Sequence, residues 1–230
     1  TMAGPLAEAG LRRVNVSLDT LREDRFHTLT RGGKLATVWE GIDASLEAGL
    51  TPVKLNTIIM RSFNFDEIPA LAAVTRERPL HLRFIELMEV GETRGWAKSE
   101  RVSGQEVKDI LEDRFGALEA VGRGGECGLA PGCGPALYYR LPGGEGTIGF
   151  IDPSSTGFCD RCNRLRLTAD GRLKPCLLAA GEIDVRAPLR AGISDEDLRD
   201  LVSQAVQLKP PHQEESPTAY GTRKMFQIGG

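Results

Sequence analysis

Apolar residues recur with two different periods along the first half of the chain, and segments of the two kinds alternate. "RRVNVSLD" (Arg12–Asp19) is a short β-branched run with the composition of a strand. In "KLATVWEGIDASLEAGL" the apolar positions Leu35, Val38, Trp39, Ile42 and Leu46 fall at helical spacing, and Gly49 stands where a C′ glycine would end the helix. "PVKLNTIIM" (Pro52–Met60) predicts a second strand, "DEIPALAAVTRER" a helix after it, and "LHLRFIELM" (Leu80–Met88) a third strand. "SGQEVKDILEDRFG" opens with Ser103 followed three residues on by Glu106, the pattern of a capping box. Strand and helix in alternation predict βαβ units around a parallel sheet.

The pattern changes after about Phe115. "GRGGECGLAPGCGP" is a turn-rich loop, and "ALYYRL" and "GTIGFID" read as antiparallel β-segments that open a second sub-domain. The last predicted helix, "DEDLRDLVSQAVQL", carries Leu198, Leu201, Val202, Ala205 and Leu208 on one stripe. A polar tail ending "KMFQIGG" follows.

Composition narrows the classes. The 230 residues, 40% apolar, suffice for one sizeable core or a domain with a smaller appendage. A net charge of −3 provides no global basic field to recruit nucleic acid, so any anion site must be a local cluster. No run of 18 apolar residues is present, which argues against a transmembrane helix. "TMAGPLAEAG" lacks the basic and apolar regions of a signal peptide. Five cysteines, three of them clustered, fit a metal site in a reducing cytoplasm better than a secreted disulfide framework.

In parallel α/β folds ligands lie beyond the C-terminal ends of the strands. The predicted strands carry Ser17 and Asp19, then Lys54 and Asn56, then Arg83, Glu86 and Met88. Lys54 and Arg83 fall among apolar neighbours, where a cation is costly without an anionic partner. They either snorkel or pair with Glu86, or they face a ligand. Two cations and Asn56 on successive strands favour a phosphate or carboxylate.

The strongest candidate chemistry is "GFCDRCNRLRLTADGRLKPC". Cys159-x2-Cys162 sets two thiols on one turn. Thirteen residues then resemble a hairpin turning at Asp170-Gly171, which would return Cys176 toward them. Three soft ligands suit zinc or an iron–sulfur cluster, with three unligated thiols as the plain alternative. A structural zinc takes a fourth Cys or His. His27, His81 and His212 are remote in sequence, while Cys127 and Cys133 remain candidates. A four-iron cluster held by three thiolates keeps one iron open to a substrate atom. Arg164 and Arg166, alternating along the strand on the face of Cys162, are either a solvated strand face or guanidinium forks for a phosphorylated ligand.

"FCDRCNRLRLT…G.LKPCL", preceded by "VNVSLD" and "LRFIELM" and followed by "IGG", resembles the GTP 3′,8-cyclase family, the molybdenum-cofactor biosynthesis protein A branch of the radical S-adenosylmethionine (SAM) enzymes. The likeness runs over essentially all 230 residues. It implies part of a TIM-type radical SAM barrel with parallel strands over 1–115. A C-terminal iron–sulfur sub-domain with antiparallel β-segments would then fill 116–230. It implies that Cys159, Cys162 and Cys176 hold a [4Fe–4S] cluster whose open iron contacts the guanine of GTP. Lys54, Arg83, Arg164, Leu165 and Arg166 match GTP-binding positions, Ser17 and Met88 match positions contacting SAM, and Gly229-Gly230 matches a tail that inserts towards the active site.

The implied reaction converts GTP to (8S)-3′,8-cyclo-7,8-dihydroguanosine 5′-triphosphate through a 5′-deoxyadenosyl radical made by reductive cleavage of SAM. An electron donor, a downstream cyclic pyranopterin monophosphate synthase and a homodimer are the implied partners, with no nucleic acid and no membrane. One feature departs from the family. Its Cys-x3-Cys-x2-Cys motif, which holds the cluster that cleaves SAM, has no counterpart here, since no cysteine precedes Cys127. The expectation is therefore a truncated chain holding the substrate side of the reaction and inactive alone. A non-catalytic nucleotide-binding fragment and a structural zinc module are the alternatives.

Overall fold

The β-branched runs of the first half pair side by side. β1 (Val14–Ser17), β2 (Val53–Ile59) and β3 (Leu80–Glu86) form a parallel ladder. β6 (Thr147–Ile151) joins β3 in parallel, and β5 (Leu137–Arg140) and β4 (Glu119–Arg123) complete the sheet antiparallel, in the order β1-β2-β3-β6-β5-β4. The computed structural model describes residues 2–93, 95–123, 136–157, 159, 162–177, 181–210 and 227, and shows a mixed α/β fold with a mainly parallel sheet.

Helices fill the connections: α1 (Ala3–Glu8), α2 (Glu23–Thr30), α3 (Leu35–Glu47), α4 (Ile68–Glu77), α5 (Ala97–Glu100) and α6 (Gly104–Phe115). Gly49 ends α3 as expected, with φ +71° and the Leu50 N–H returning to the Ser45 carbonyl at 2.9 Å. Ser103 caps α6 by accepting from the Glu106 N–H at 3.2 Å. Glu106 does not close the reciprocal half of the box, because its carboxylate pairs with Arg61 at 2.8 Å. α2 was not predicted; its only buried side chain is Phe26, too thin an apolar face to reveal a helix.

One face of the sheet is the core. Val53, Leu55 and Ile59, then Leu80, Leu82 and Phe84, then Ile148 and Phe150 are buried beneath α3, α4 and α6. Each such side chain contributes roughly 1.5–3 kcal/mol. Asn64, fully buried, locks the end of β2: Nδ2 donates to the Asp19 and Ile58 carbonyls at 2.6 and 2.9 Å, and Oδ1 accepts from the Met60 N–H at 2.8 Å.

Two compact units emerge, Thr1–Leu87 with Ser99–Ser155, and Met88–Lys98 with Thr156–Gly230. The change of character near Phe115 thus falls inside the first unit, because β6 hydrogen-bonds to β3 and carries β4 and β5 into the same sheet. In the second unit β7 (Arg166–Leu167), β8 (Arg172–Lys174) and β9 (Ile183–Asp184) form a small antiparallel sheet. α7 (Arg186–Arg190) and α8 (Asp195–Gln207) follow, with Ser194 capping α8 and α8 packing on β8. Of the stripe expected on α8 only Ala205 is buried; Val202 and Leu208 are exposed.

Asn64→Ala leaves two carbonyls and one N–H, all part-buried, without the amide that satisfies them. We expect a loss of about 2–3 kcal/mol in urea unfolding, and an unchanged midpoint would refute the lock.

Candidate functional site

The other face of the ladder is polar. Because side chains alternate, the register that buries Val53, Leu55, Leu80 and Leu82 lines up two rungs on the opposite side. One rung runs Asn15–Lys54–His81–Thr147, and the next runs Ser17–Asn56–Arg83–Gly149–Tyr138. Arg83 is held as a fork: its Nε donates to Asn56 Oδ1 and its Nη2 to Asn15 Oδ1, both at 2.7 Å. Gly149 leaves room for it, since a Cβ there would meet Tyr138 at 2.8 Å and the Arg83 side chain at 3.3 Å. His81 bonds Thr147 Oγ1 through Nδ1 at 2.8 Å. Burial, then the charges of Lys54, Arg140 and Arg83, lower its pKa to about 4.

Glu86 is not the partner of Arg83. It lies on the buried face and accepts from the Ser154 and Ser155 N–H groups at 2.7 and 3.0 Å and from the Ser155 hydroxyl, with Arg101 nearby. Asp152 donates structure rather than chemistry: its Oδ1 accepts from the Gly104 N–H at 2.8 Å at the start of α6. Burial pushes its pKa up to about 6 against that bond, and the Glu86 charge adds to the rise.

In the second unit the predicted hairpin forms, with Arg166 opposite Lys174 and Leu167 opposite Leu173. Its turn is built by Thr168, whose Oγ1 donates to Asp170 at 2.6 Å and accepts from the Arg172 N–H at 2.9 Å. Gly171 has φ +77°, and a Cβ there would strike Arg186 at 2.6 Å. Arg164 precedes the strand rather than lying in it, and is exposed; Leu165 and Arg166 are half-buried.

Cys159, Cys162 and Cys176 are half-buried and form no disulfide among the described residues. The Cys162 N–H bonds the Cys159 carbonyl at 3.2 Å, forming the expected turn. Burial alone would raise the Cys162 thiol pKa. The Arg164 backbone and side chain and the Lys209 charge outweigh it, so the pKa falls below its ordinary value. Lys209 Nζ reaches Cys162 Sγ at 3.5 Å and the Arg164 carbonyl at 2.8 Å. Arg166 senses the same group: burial and Arg164 lower its pKa, while Cys176 and Cys162 oppose them.

Among the described residues no three His, Cys, Asp or Glu side chains are grouped to hold a single metal ion. One tetrahedral ion needs its sulfurs all about 2.3 Å from a common centre. A four-iron cluster instead takes each thiolate on a different iron, and three thiols are donors of the kind it uses.

No sequence signal marks Asn15, Arg140, Lys174 or Lys209 as site residues, and His81 stands out in the sequence only as a histidine remote from the cysteines. Lys174 is 1% exposed and faces Arg166 across the hairpin, a burial no local pattern announced. Asn15 and His81 were legible in principle as polar positions of period two. Of the SAM candidates, Ser17 is exposed on β1, and the Met88 carbonyl accepts from the Thr93 hydroxyl at 2.6 Å. Gly229, Gly230, Cys127 and Cys133 lie outside the described residues.

Residues 2–74 match the family model of the radical SAM superfamily, and residues 80–215 match that of Molybdenum Cofactor Synthesis C. The chain is 50% identical over 228 residues to the GTP 3′,8-cyclase of Pelotomaculum thermopropionicum, across 99% of this chain and 68% of that protein. It is also 50% identical to the enzyme of that name from Moorella thermoacetica, across 100% and 68%. The chain belongs to the GTP 3′,8-cyclase family. A third family member, from Desulforamulus reducens, is 44% identical across 100% of this chain and 69% of its own. Among the described residues no helix is long and apolar enough to cross a membrane.

A depressed histidine pKa favours the neutral imidazole of the fold. The stability this confers is complete above pH about 6.5 and is lost as pH falls from there through about 4, on the order of 3 kcal/mol. Asp152, shifted up, acts in the opposite sense: its contribution is lost as pH rises from 3.8 through about 6. His81 is therefore best read alone. Its imidazole proton resonances, assigned by loss in His81→Gln, should titrate near pH 4; a midpoint near 6.5 contradicts the site described.

Proposed function

We propose that this chain binds GTP, SAM and a [4Fe–4S] cluster in GTP 3′,8-cyclisation, an early step of molybdenum cofactor biosynthesis. The observation that carries it is the hairpin of the second unit, with three cysteines outside any disulfide, a Cys162 thiol made acidic by Arg164 and Lys209, and Arg166 beside them. The relatives' shared name supplies the substrate. Cys159, Cys162 and Cys176 hold the cluster, and Arg164, Leu165 and Arg166 bind the nucleotide next to it. Lys54 and Arg83 take anionic oxygens of GTP on the polar face of the sheet. The two asparagine oxygens set the Arg83 fork before the ligand arrives, so less freedom is lost on binding. Ser17 and Met88 contact SAM, and the Gly229-Gly230 tail assists.

The parallel sheet is read as a section of a radical SAM barrel. When bound, SAM and the cluster that reduces it supply the radical that begins cyclisation. These 230 residues contain no Cys-x3-Cys-x2-Cys, so the role assigned to them is holding nucleotide and cofactor. A reducing, cytoplasmic setting suits cysteines that serve a cluster rather than disulfides.

Anaerobic reconstitution should load about four irons per chain. Cys176→Ala should lose them. A colourless protein retaining one zinc would overturn the cluster. In the reconstituted chain Arg164→Ala and Arg166→Ala should each weaken GTP binding about tenfold or more by calorimetry, as loss of a charged hydrogen bond implies. Unaltered affinity in both would remove them from the site.

A further inference from the structure

Arg140 ends β5 on the polar side of the sheet. The register that pairs Tyr138 with Gly149 and Tyr139 with Ile148 brings Arg140 opposite Thr147, one step further along. Thr147 is the residue that holds His81. Arg140 therefore extends the rung of Asn15, Lys54 and His81. Its charge also contributes to the lowered pKa of His81, in keeping with that placement.

Among the described residues its guanidinium keeps an unmet donor. Nε is fully buried and has no hydrogen-bond partner. Among the described residues Arg140 forms no ion pair. Glu119, its register neighbour on β4, is exposed and makes none with it. A buried guanidinium N–H without an acceptor is costly, and native folds rarely keep one without a use. Short of Arg140 the two rungs carry no carboxylate: their residues are Asn15, Lys54, His81, Thr147, Ser17, Asn56, Arg83, Gly149 and Tyr138, and Glu119 continues the first rung only beyond Arg140. Asp19, just past β1, is engaged by the Ile58 N–H at 2.7 Å.

We infer that Arg140 is a substrate-binding residue, the third cation of an anion site with Lys54 and Arg83, and that it takes phosphate oxygens through its unused donors. A guanidinium offers parallel N–H groups that match a phosphate edge, which an ammonium cannot. Neutral His81 fits the same site: it keeps a hydrogen-bonding ring beside three cations without adding a fourth charge. The assignment rests on the proposed nucleotide reading for the identity of the ligand, but on the sheet alone for its chemical class.

The test is calorimetric binding of GTP, guanosine and inorganic tripolyphosphate to the reconstituted 230-residue chain, for wild type, Arg140→Met and Arg140→Lys. We expect Arg140→Met to weaken GTP and tripolyphosphate at least tenfold and leave guanosine unchanged, with Arg140→Lys in between. The Met variant should also keep or raise the urea midpoint, since it removes a buried donor that has no partner. Undiminished tripolyphosphate and GTP affinity in Arg140→Met overturns the inference, as does lowered stability with affinity intact. If Arg140→Met does not fold, Arg140→Lys decides, and wild-type affinity there counts against the fork. Wild type binding tripolyphosphate but not GTP would refute the nucleotide reading and leave the anion site standing. Binding of neither refutes both.

Discussion

The register of the parallel ladder is the constraint on which the first unit depends. Val53, Leu55, Leu80, Leu82 and Phe84 must all point into the core, and that requirement also determines where Lys54, Asn56, His81 and Arg83 go. A slip of one residue would bury two cations and an imidazole and expose five large apolar side chains. The hydrophobic effect thus places the polar chemistry, although it acts only on the opposite face. Fixed amide oxygens on Asn15 and Asn56 then refine the Arg83 direction.

The second unit has little core and solves its problem by turn chemistry. Thr168, Asp170 and Gly171 close a hairpin only a few residues long, and that closure sets Cys176 and Lys174 against the Arg164–Arg166 segment. α8 then delivers Lys209 to the Cys162 sulfur and the Arg164 carbonyl. Positive groups around the thiols favour thiolate, the form that ligates iron. This arrangement is what supports the cluster proposed for a member of the GTP 3′,8-cyclase family.

Much of this was legible in the chain. β1, β2, β3, α3, α4 and α6 fall within the segments foreseen, since strong periodicity and the Ser103 and Gly49 caps are local signals. The hairpin at Asp170-Gly171 was legible for the same reason. α2 was hidden by its thin apolar face, and the α8 stripe overstated burial, because a moment says which side is apolar without saying what covers it. Glu86 does not pair with Arg83, because three residues apart on a strand the two point to opposite faces.

The sequence by itself determined the elements, the cysteine spacing and the family likeness, because periodicity, capping and motif spacing are properties of neighbouring residues. Tertiary structure alone decided that β6 joins β3, carrying Arg140 to the rung of His81, and that Lys174 is buried opposite Arg166. It also decided that Lys209 meets Cys162. Strand order and burial depend on which distant surfaces meet, and the free energy of that meeting is not written in any local window.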